Sequence, residues 1–479
     1  MTVNSKRLSK AFAVLGTLPF LFVSNFFQNA FAADDAVPPT ERTALSNGAP
    51  LEVAPKSTMP RTTLVVSFMG GAGRIAKEKQ GISSILFDVF RQGPEGMTQE
   101  DYKDALFFAN GSISFRTDFR ATYLVITAPP ENLDTVMKLA RDVLEKPKLT
   151  KENFETSKQK ALTERAASDD SMSFVARYFS TRDLFQYHPE TLNDTGSVRS
   201  LKSLTLADAQ KVANTLFPWQ SAFYTATGPS RAPALKAALE SSLWPTAPSQ
   251  KPRIWKPATY TAVPALKGKG KTPSAVVIHK PNATDNQVYF YFPLALKLDS
   301  PEAHDASVAH EILGGGLTGD LGRVLRVERG LTYHASSFVG ARLPVWGVYT
   351  FGGLFQTEDL LKGTLEVLEK FRARPLKPEE IALAKDSART DFQSAFELPS
   401  DLLFERVRYR LYGLDERFLD NALQDLEKVT EERVKAFISN KVRTEGGRLY
   451  IMGDKSKIVP ILKKLGIRDI RTVAIGDIR

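Results

Sequence analysis

The sequence predicts an α+β protein of two homologous modules joined by a linker, each a mixed, mostly antiparallel β-sheet with helices packed on one face. Three observations lead there. The 479 residues are 42% hydrophobic and 25% charged, which supplies apolar material for sizeable cores and argues against bulk disorder. A stretch rich in proline, glycine and lysine, "KPRIWKPATYTAVPALKGKGKTPS" (Lys251 to Ser274), breaks the periodic pattern in mid-chain as a connector does. The segments on its two sides repeat one order of elements, the signature of an internal duplication.

Taken in order, the chain begins with Lys6, Arg7 and Lys10, then the apolar run "AFAVLGTLPFLFV" and the small-x-small group Ala30, Phe31, Ala32. This pattern reads as a secretory signal over residues 1–33, cut after Ala32 or Ala33, and points to the periplasm. A mitochondrial presequence would also lack acidic residues, but it would be amphipathic where this block is continuously apolar. No later stretch is long and apolar enough to span a bilayer. Cysteine is absent, which excludes disulfides, thiol catalysis and Cys-ligated zinc. Without the three signal cations the formal charge falls from +10 to +7. Much of that excess lies in the connector, and with no nucleic-acid motif beside its lysines it reads as a solvated linker.

The first module spans 34–230, the linker 231–274 and the second module 275–479. "TYLVITAPPENLDTVMKLARDVLEK" from Thr122 and "GVYTFGGLFQTEDLLKGTLEVLEK" from Gly347 each predict a strand, an acidic turn and an amphipathic helix with apolar spacings of three and four. A basic proline connector follows in each, then the helix-start sequence "LTKENF" or "LKPEEI" and a second helix. Upstream, "VVSFMGGAGRIAKEKQGISSILFDVFRQG" matches "VYFYFPLALKLDSPEAHDASVAHEILGGG" as strand, loop, helix and glycine. Each half closes with a strand, "SAFYTATG" or "GRLYIMGD".

The segment "EILGGGLTGDLGRVLRVERGLTYHASS" (Glu311 to Ser337) joins a glycine triplet to an "LR-x-x-RGL-x-Y" run at a specific distance. On this and the two-module layout, the chain resembles the pitrilysin/insulinase-type zinc metallopeptidases, the inverzincins that include the processing peptidases. In that family an H-x-x-E-H helix in the first module holds zinc. Its two histidines share a helix face and the glutamate beside them is the general base. A glutamate on a neighbouring helix completes the metal shell. Laid on that pattern, Ser84 takes the first histidine position, Phe87 the base and Asp88 the second histidine, while Glu164 keeps the late glutamate. Serine is a poor zinc ligand, phenylalanine accepts no proton, and two carboxylates fall short of a catalytic three-ligand set. Ile82, Ile85, Leu86, Val89 and Phe90 still form a core stripe, and the face of Ser84, Phe87, Asp88 and Arg91 reads as mixed surface. Glu164 reads as a solvated or ion-paired carboxylate.

The five histidines offer no replacement: Gly314 stands where His310-Glu311 would need a second histidine four residues on, and His304 and His310 point to different sides of one helix. No G-x-S-x-G stretch supports serine catalysis. What the resemblance leaves intact is Arg326 and Tyr333. In the family their counterparts cross from the second module to hydrogen-bond the substrate near the scissile carbonyl, a place suited to a guanidinium and a phenol. Gly314, Gly315 and Gly316 make either a tight turn or a substrate-handling loop. The resemblance therefore implies the zinc-less subunit of a heterodimeric peptidase, a half-clamshell with no cofactor of its own. A homologous zinc-bearing subunit would be its partner and peptides its substrates. The alternative is a stand-alone peptide-binding or scaffold protein that captures extended peptides at strand edges.

Overall fold

Each half of the chain builds a six-stranded sheet of nearly the same plan. The computed structural model describes residues 40–56, 59–185, 191, 195–243, 274–294, 296–340, 345–395, 399–415, 417–443 and 445–475. The signal segment and residues 244–273 of the linker lie outside the described residues, and so does His188. The first sheet uses β1 (Glu41–Ala44), β2 (Pro50–Pro55), β3 (Thr62–Met69), β4 (Ser112–Thr117), β5 (Ala121–Ala128) and β6 (Phe223–Gly228), in the order β1-β2-β6-β3-β5-β4. The second uses β7 (Ser274–His279), β8 (Asp285–Pro293), β9 (His334–Val339), β10 (Val345–Gly353), β11 (Arg448–Gly453) and β12 (Ile470–Ala474), in the order β12-β7-β11-β8-β10-β9.

A late strand of each half enters the middle of its sheet. Strand β6 runs parallel to β2 and antiparallel to β3, and β11 does the same with β7 and β8. The sheets differ at one edge: β1 adds antiparallel to β2, whereas β12 adds parallel to β7.

One face of each sheet carries the helices of its own module. The first module contributes α1 (Ile82–Phe90), α2 (Leu133–Glu145) and α3 (Lys151–Asp170). Their apolar stripes meet Leu64, Val66 and Phe68 of β3 in one core. Thr150 starts α3 by accepting the backbone N–H of Asn153 at 3.2 Å. The second module repeats the scheme with α5 (Glu302–Gly314), α6 (Thr357–Ala373) and α7 (Pro378–Ser394) over Val288, Phe290 and Phe292 of β8. Residues Ala232–Ala238 and Leu239–Leu243 are helical, and Leu235, Leu239 and Leu243 join the first core. The helical tail of the first module thus occupies the start of the span read as linker. Leucines at every fourth position bury there, which a composition-based border overlooks.

The other face of each sheet is covered, in part, by a helix from the opposite module. Helix α4 (Met172–Leu184) places Val175, Ala176 and Phe179 on Tyr289, Tyr291 and Tyr450 of the second sheet. In return α8 (Pro399–Tyr412) places Leu403, Val407 and Leu411 on Val65, Tyr123 and Phe223 of the first. Polar contacts pin both exchanges: Tyr450 donates to Asp183 at 2.7 Å, Ser180 bonds the Tyr291 hydroxyl at 2.8 Å, and Arg410 pairs with Glu52. Helices on one face alone, as expected from the pattern of each half, therefore describe only the local layer.

Because each module completes the other, the chain should unfold in one transition. Leu403→Ala, at a fully enclosed position between the modules, should cost about 2–5 kcal/mol. Differential scanning calorimetry should show one peak that moves without splitting. Two separate peaks in the parent chain would contradict the interlock.

Candidate functional site

The two glycines that frame α1 are required by backbone geometry. Gly81 and Gly93 have φ of 95° and 88°, and a Cβ on Gly81 would lie 2.7 Å from the Thr195 carbonyl oxygen. Between them the family's three motif positions have separate fates. Ser84 is half-buried. Phe87 is buried, its ring stacked on Phe115 at 5.7 Å and near Phe90 at 6.3 Å. The reading of Phe87 as mixed surface is corrected: strand β4 delivers Phe115 across the helix, and an aromatic ring closes that contact as apolar core.

Asp88 accepts from Ser157 at 2.8 Å and pairs with Lys160 at 2.5 Å, both on α3. Arg91 lies 3.7 Å from it. An ammonium therefore stands beside the carboxylate where the family pattern calls for a histidine on zinc. Glu164, one turn beyond Lys160, is exposed. The neighbouring Arg165 is the buried member, pairing with Asp169 at 2.8 Å. Ser84, Phe87, Asp88 and Glu164 do not fit a zinc ion: one points into an aromatic cluster and another is neutralised by lysine. No group of three His, Asp or Glu side chains that could hold a metal lies among the described residues.

The repeat puts a second carboxylate pair in the equivalent place. Counting back from the positive-φ glycines Gly93 and Gly316, Asp88 falls opposite Glu311 and Phe87 opposite His310. Counting from the first residues of α3 and α7, Glu164 falls opposite Asp391. Glu311 and Asp391 face each other, and burial raises both carboxyls. Burial, then the Asp391 charge, pushes the Glu311 carboxyl up to about 8. Burial lowers His310 to about 4, and its Nδ1 bonds Ser337 at 2.6 Å. Sequence reasoning missed Lys160, Ser157 and Asp391. The equal helix spacing of Glu164 and Asp391 was the available signal.

Gly314, Gly315 and Gly316 form a packed turn. A Cβ at Gly314 would sit 2.0 Å from the Ser337 nitrogen, and one at Gly315 would sit 2.2 Å from Glu311 Oε2. Gly316 has φ of 60° and open space around it. The turn supports a π-helix, Gly322–Glu328, whose first residue passes so near the Gly316 carbonyl that a Cβ would lie 2.1 Å away. That helix carries Arg326, and the chain then enters β9 directly after Tyr333. Both side chains are exposed, Tyr333 by 81%. Neither has a hydrogen-bond or ion-pair partner among the described residues, whereas the adjacent Arg323 and Arg329 are paired with Glu328 and Glu366. The structure brings Arg326, Tyr333 and the glycine turn to one corner of the second sheet.

Residues 53–193 match the family described as insulinase (peptidase family M16), and residues 250–388 match the one described as the peptidase M16 inactive domain. The chain belongs to peptidase family M16. A curated relative is subunit 1 of the mitochondrial cytochrome b-c1 complex of Saccharomyces cerevisiae, 25% identical over 252 residues. That match covers 52% of this chain and 53% of the yeast protein, so the chain spans about half the length of that relative. Among solved structures, the peptidase M16 inactive domain from Pseudomonas fluorescens superposes with a TM-score of 0.71 at 16% identity, over 87% of this chain and 98% of that one. The periplasmic protease PqqL from Escherichia coli gives 0.66 at 15% identity, over 92% of this chain and 49% of that one. At these identities the structures show the M16 fold alone.

Two expectations follow from this M16 helix pair and its repeat. Phe87→Glu, which restores the family base at its old position, should destabilise the chain by about 3 kcal/mol, because a carboxyl enters an apolar cluster without a partner; urea denaturation reads this. A second concerns pH. Because the folded pKa of Glu311 is raised above its ordinary value of 4.5, the stability it contributes is full below that value. It is lost as pH rises towards about 8. Glu311→Gln, whose amide donates to Asp391 without titrating, should flatten that decline and melt higher than the parent at pH 8.5. Parallel melting curves between pH 5 and 8.5 would contradict it.

Proposed function

We propose that this chain is the non-catalytic, zinc-less subunit of a two-chain zinc metallopeptidase that degrades peptides in the periplasm. A homologous partner with an intact H-x-x-E-H helix holds the zinc, which supplies the activated water. This chain binds the peptide and presents Arg326 and Tyr333 to the bond being cut. The observation that carries the reading is the state of those two groups: a guanidinium and a phenol, both exposed and unpartnered among the described residues, at one sheet corner beside a rigid glycine turn. The first module's metal positions, meanwhile, are filled by an aromatic ring and an ammonium–carboxylate pair.

The chemistry suits the role. Arg326 offers several N–H donors, and the Tyr333 hydroxyl donates once more. Aimed at a carbonyl oxygen that gains negative charge, such donors stabilise the transition state more than the ground state. Gly314 to Gly316 set the angle from which Arg326 approaches.

The test is reconstitution with a zinc-bearing homologous chain from the same cell. Arg326→Ala should lower kcat by about 10²–10³-fold, the usual loss for an oxyanion donor. Tyr333→Phe should lower it by about tenfold, with zinc content and assembly unchanged. Full turnover in Arg326→Ala would overturn the assignment.

A further inference from the structure

The face of the second sheet that α4 covers continues beyond the helix as a row of rings. Register places Tyr289 opposite Tyr349 and Phe351 opposite His334, so these side chains share one face. Tyr289 and Tyr349 have ring centroids 4.7 Å apart, His334 and Tyr349 5.6 Å, and Tyr349 and Phe351 6.1 Å. Phe355 folds back over Gly353, where a Cβ would meet its ring at 2.6 Å, and extends the row at the end of β10. Exposure rises along it. Tyr289 is buried under α4, Tyr349 and Phe351 are half-buried, and Phe355 is 88% exposed.

The first sheet builds no row of rings at these positions. In the first module the same register positions are Val65 opposite Val125 and Ser112 opposite Thr127. Valine, serine and threonine stand there in place of tyrosine, histidine and phenylalanine. Nor is the row remote from the reactive corner. Burial and then the positive charge of Arg326 hold His334 below its ordinary range, which puts Arg326 within electrostatic reach and leaves the ring neutral at pH 7.

We infer that the row Tyr349, Phe351, His334 and Phe355 is a specificity surface that takes aromatic or large aliphatic side chains of the peptide held at Arg326. This rests on the reading of Arg326 and Tyr333 as substrate contacts and adds the substrate class: extended peptides with bulky apolar residues beside the bond to be cut. A cation unpaired among the described residues suits peptide carbonyls at one end, and stacked neutral rings suit apolar side chains. A polar peptide gains nothing from the rings.

Two fluorescein-labelled decapeptides, identical but for a central Phe-Ala-Phe or Ser-Ala-Ser, are titrated with the full mature chain by fluorescence anisotropy. The phenylalanine peptide should bind about tenfold tighter, the effect of covering one ring or more. The double variant Phe351→Ser, Phe355→Ser should bring the two affinities together while its melting temperature stays near the parent's. Equal affinities in the parent chain, or a preference that survives in the variant, would overturn the proposal. So would a variant that keeps the preference but no longer assembles with the zinc-bearing subunit, since the row would then be a subunit contact. Failure of the underlying reading shows separately: Arg326→Ala would leave turnover of both peptides intact in the reconstituted complex.

Discussion

Everything in this molecule depends on the mutual covering of two sheets. A β-sheet has two faces, and β3 is buried along its whole length on both. The helices of one module reach only one of those faces. The second face of the first sheet is closed by Leu403, Val407 and Leu411 from far along the chain, and that of the second sheet by Val175, Ala176 and Phe179 from the first module. Neither module can bury its own surface alone, so the duplication is structural as well as historical. The arrangement also decides what stays open. Helix α4 ends over Tyr289 and Tyr450, while Tyr349 and Phe351 farther along β10 are half-buried and Arg326 and Tyr333 are exposed.

A second constraint is electrostatic and recurs in both halves. The helix pair that holds zinc in catalytic relatives carries a half-buried Asp88 in the first module and a buried Glu311 in the second, and a carboxylate taken from water needs a positive charge or a proton. In the first module Lys160 supplies an ammonium to Asp88. In the second, burial and the facing Asp391 push the Glu311 carboxyl up to about 8. Metal, ammonium and proton are three ways to neutralise such a carboxylate, and in the first module an ammonium stands beside it. The neighbouring base position follows suit, with Phe87 turned into the aromatic cluster.

Much of this was legible in the residues. The alternation and apolar runs of the strands, the three-and-four spacing of the helices and the paired "VLEK" segments marked two copies of one plan. Ser84, Phe87 and Asp88 in the helix framed by Gly81 and Gly93 marked a segment without the metal-binding side chains of the family pattern. Those signals are local, set by side-chain period, turn residues and the identity of a few groups. The sequence was silent on Phe87 turning inward, because Phe115 reaches it from another strand. It was silent on Lys160 meeting Asp88, because the approach of α3 to α1 sets that distance.

The sequence by itself determined the two-module α+β plan, the helix that frames the lost metal motif and the survival of an arginine and a tyrosine. Backbone periodicity and chemical identity act within a few residues and need no partner. Only the tertiary structure decided which helix covers which sheet, which charge answers each buried carboxylate, and which rings remain uncovered next to Arg326. Those outcomes depend on surfaces hundreds of residues apart in the chain, brought together by the burial of apolar area that no single module can complete.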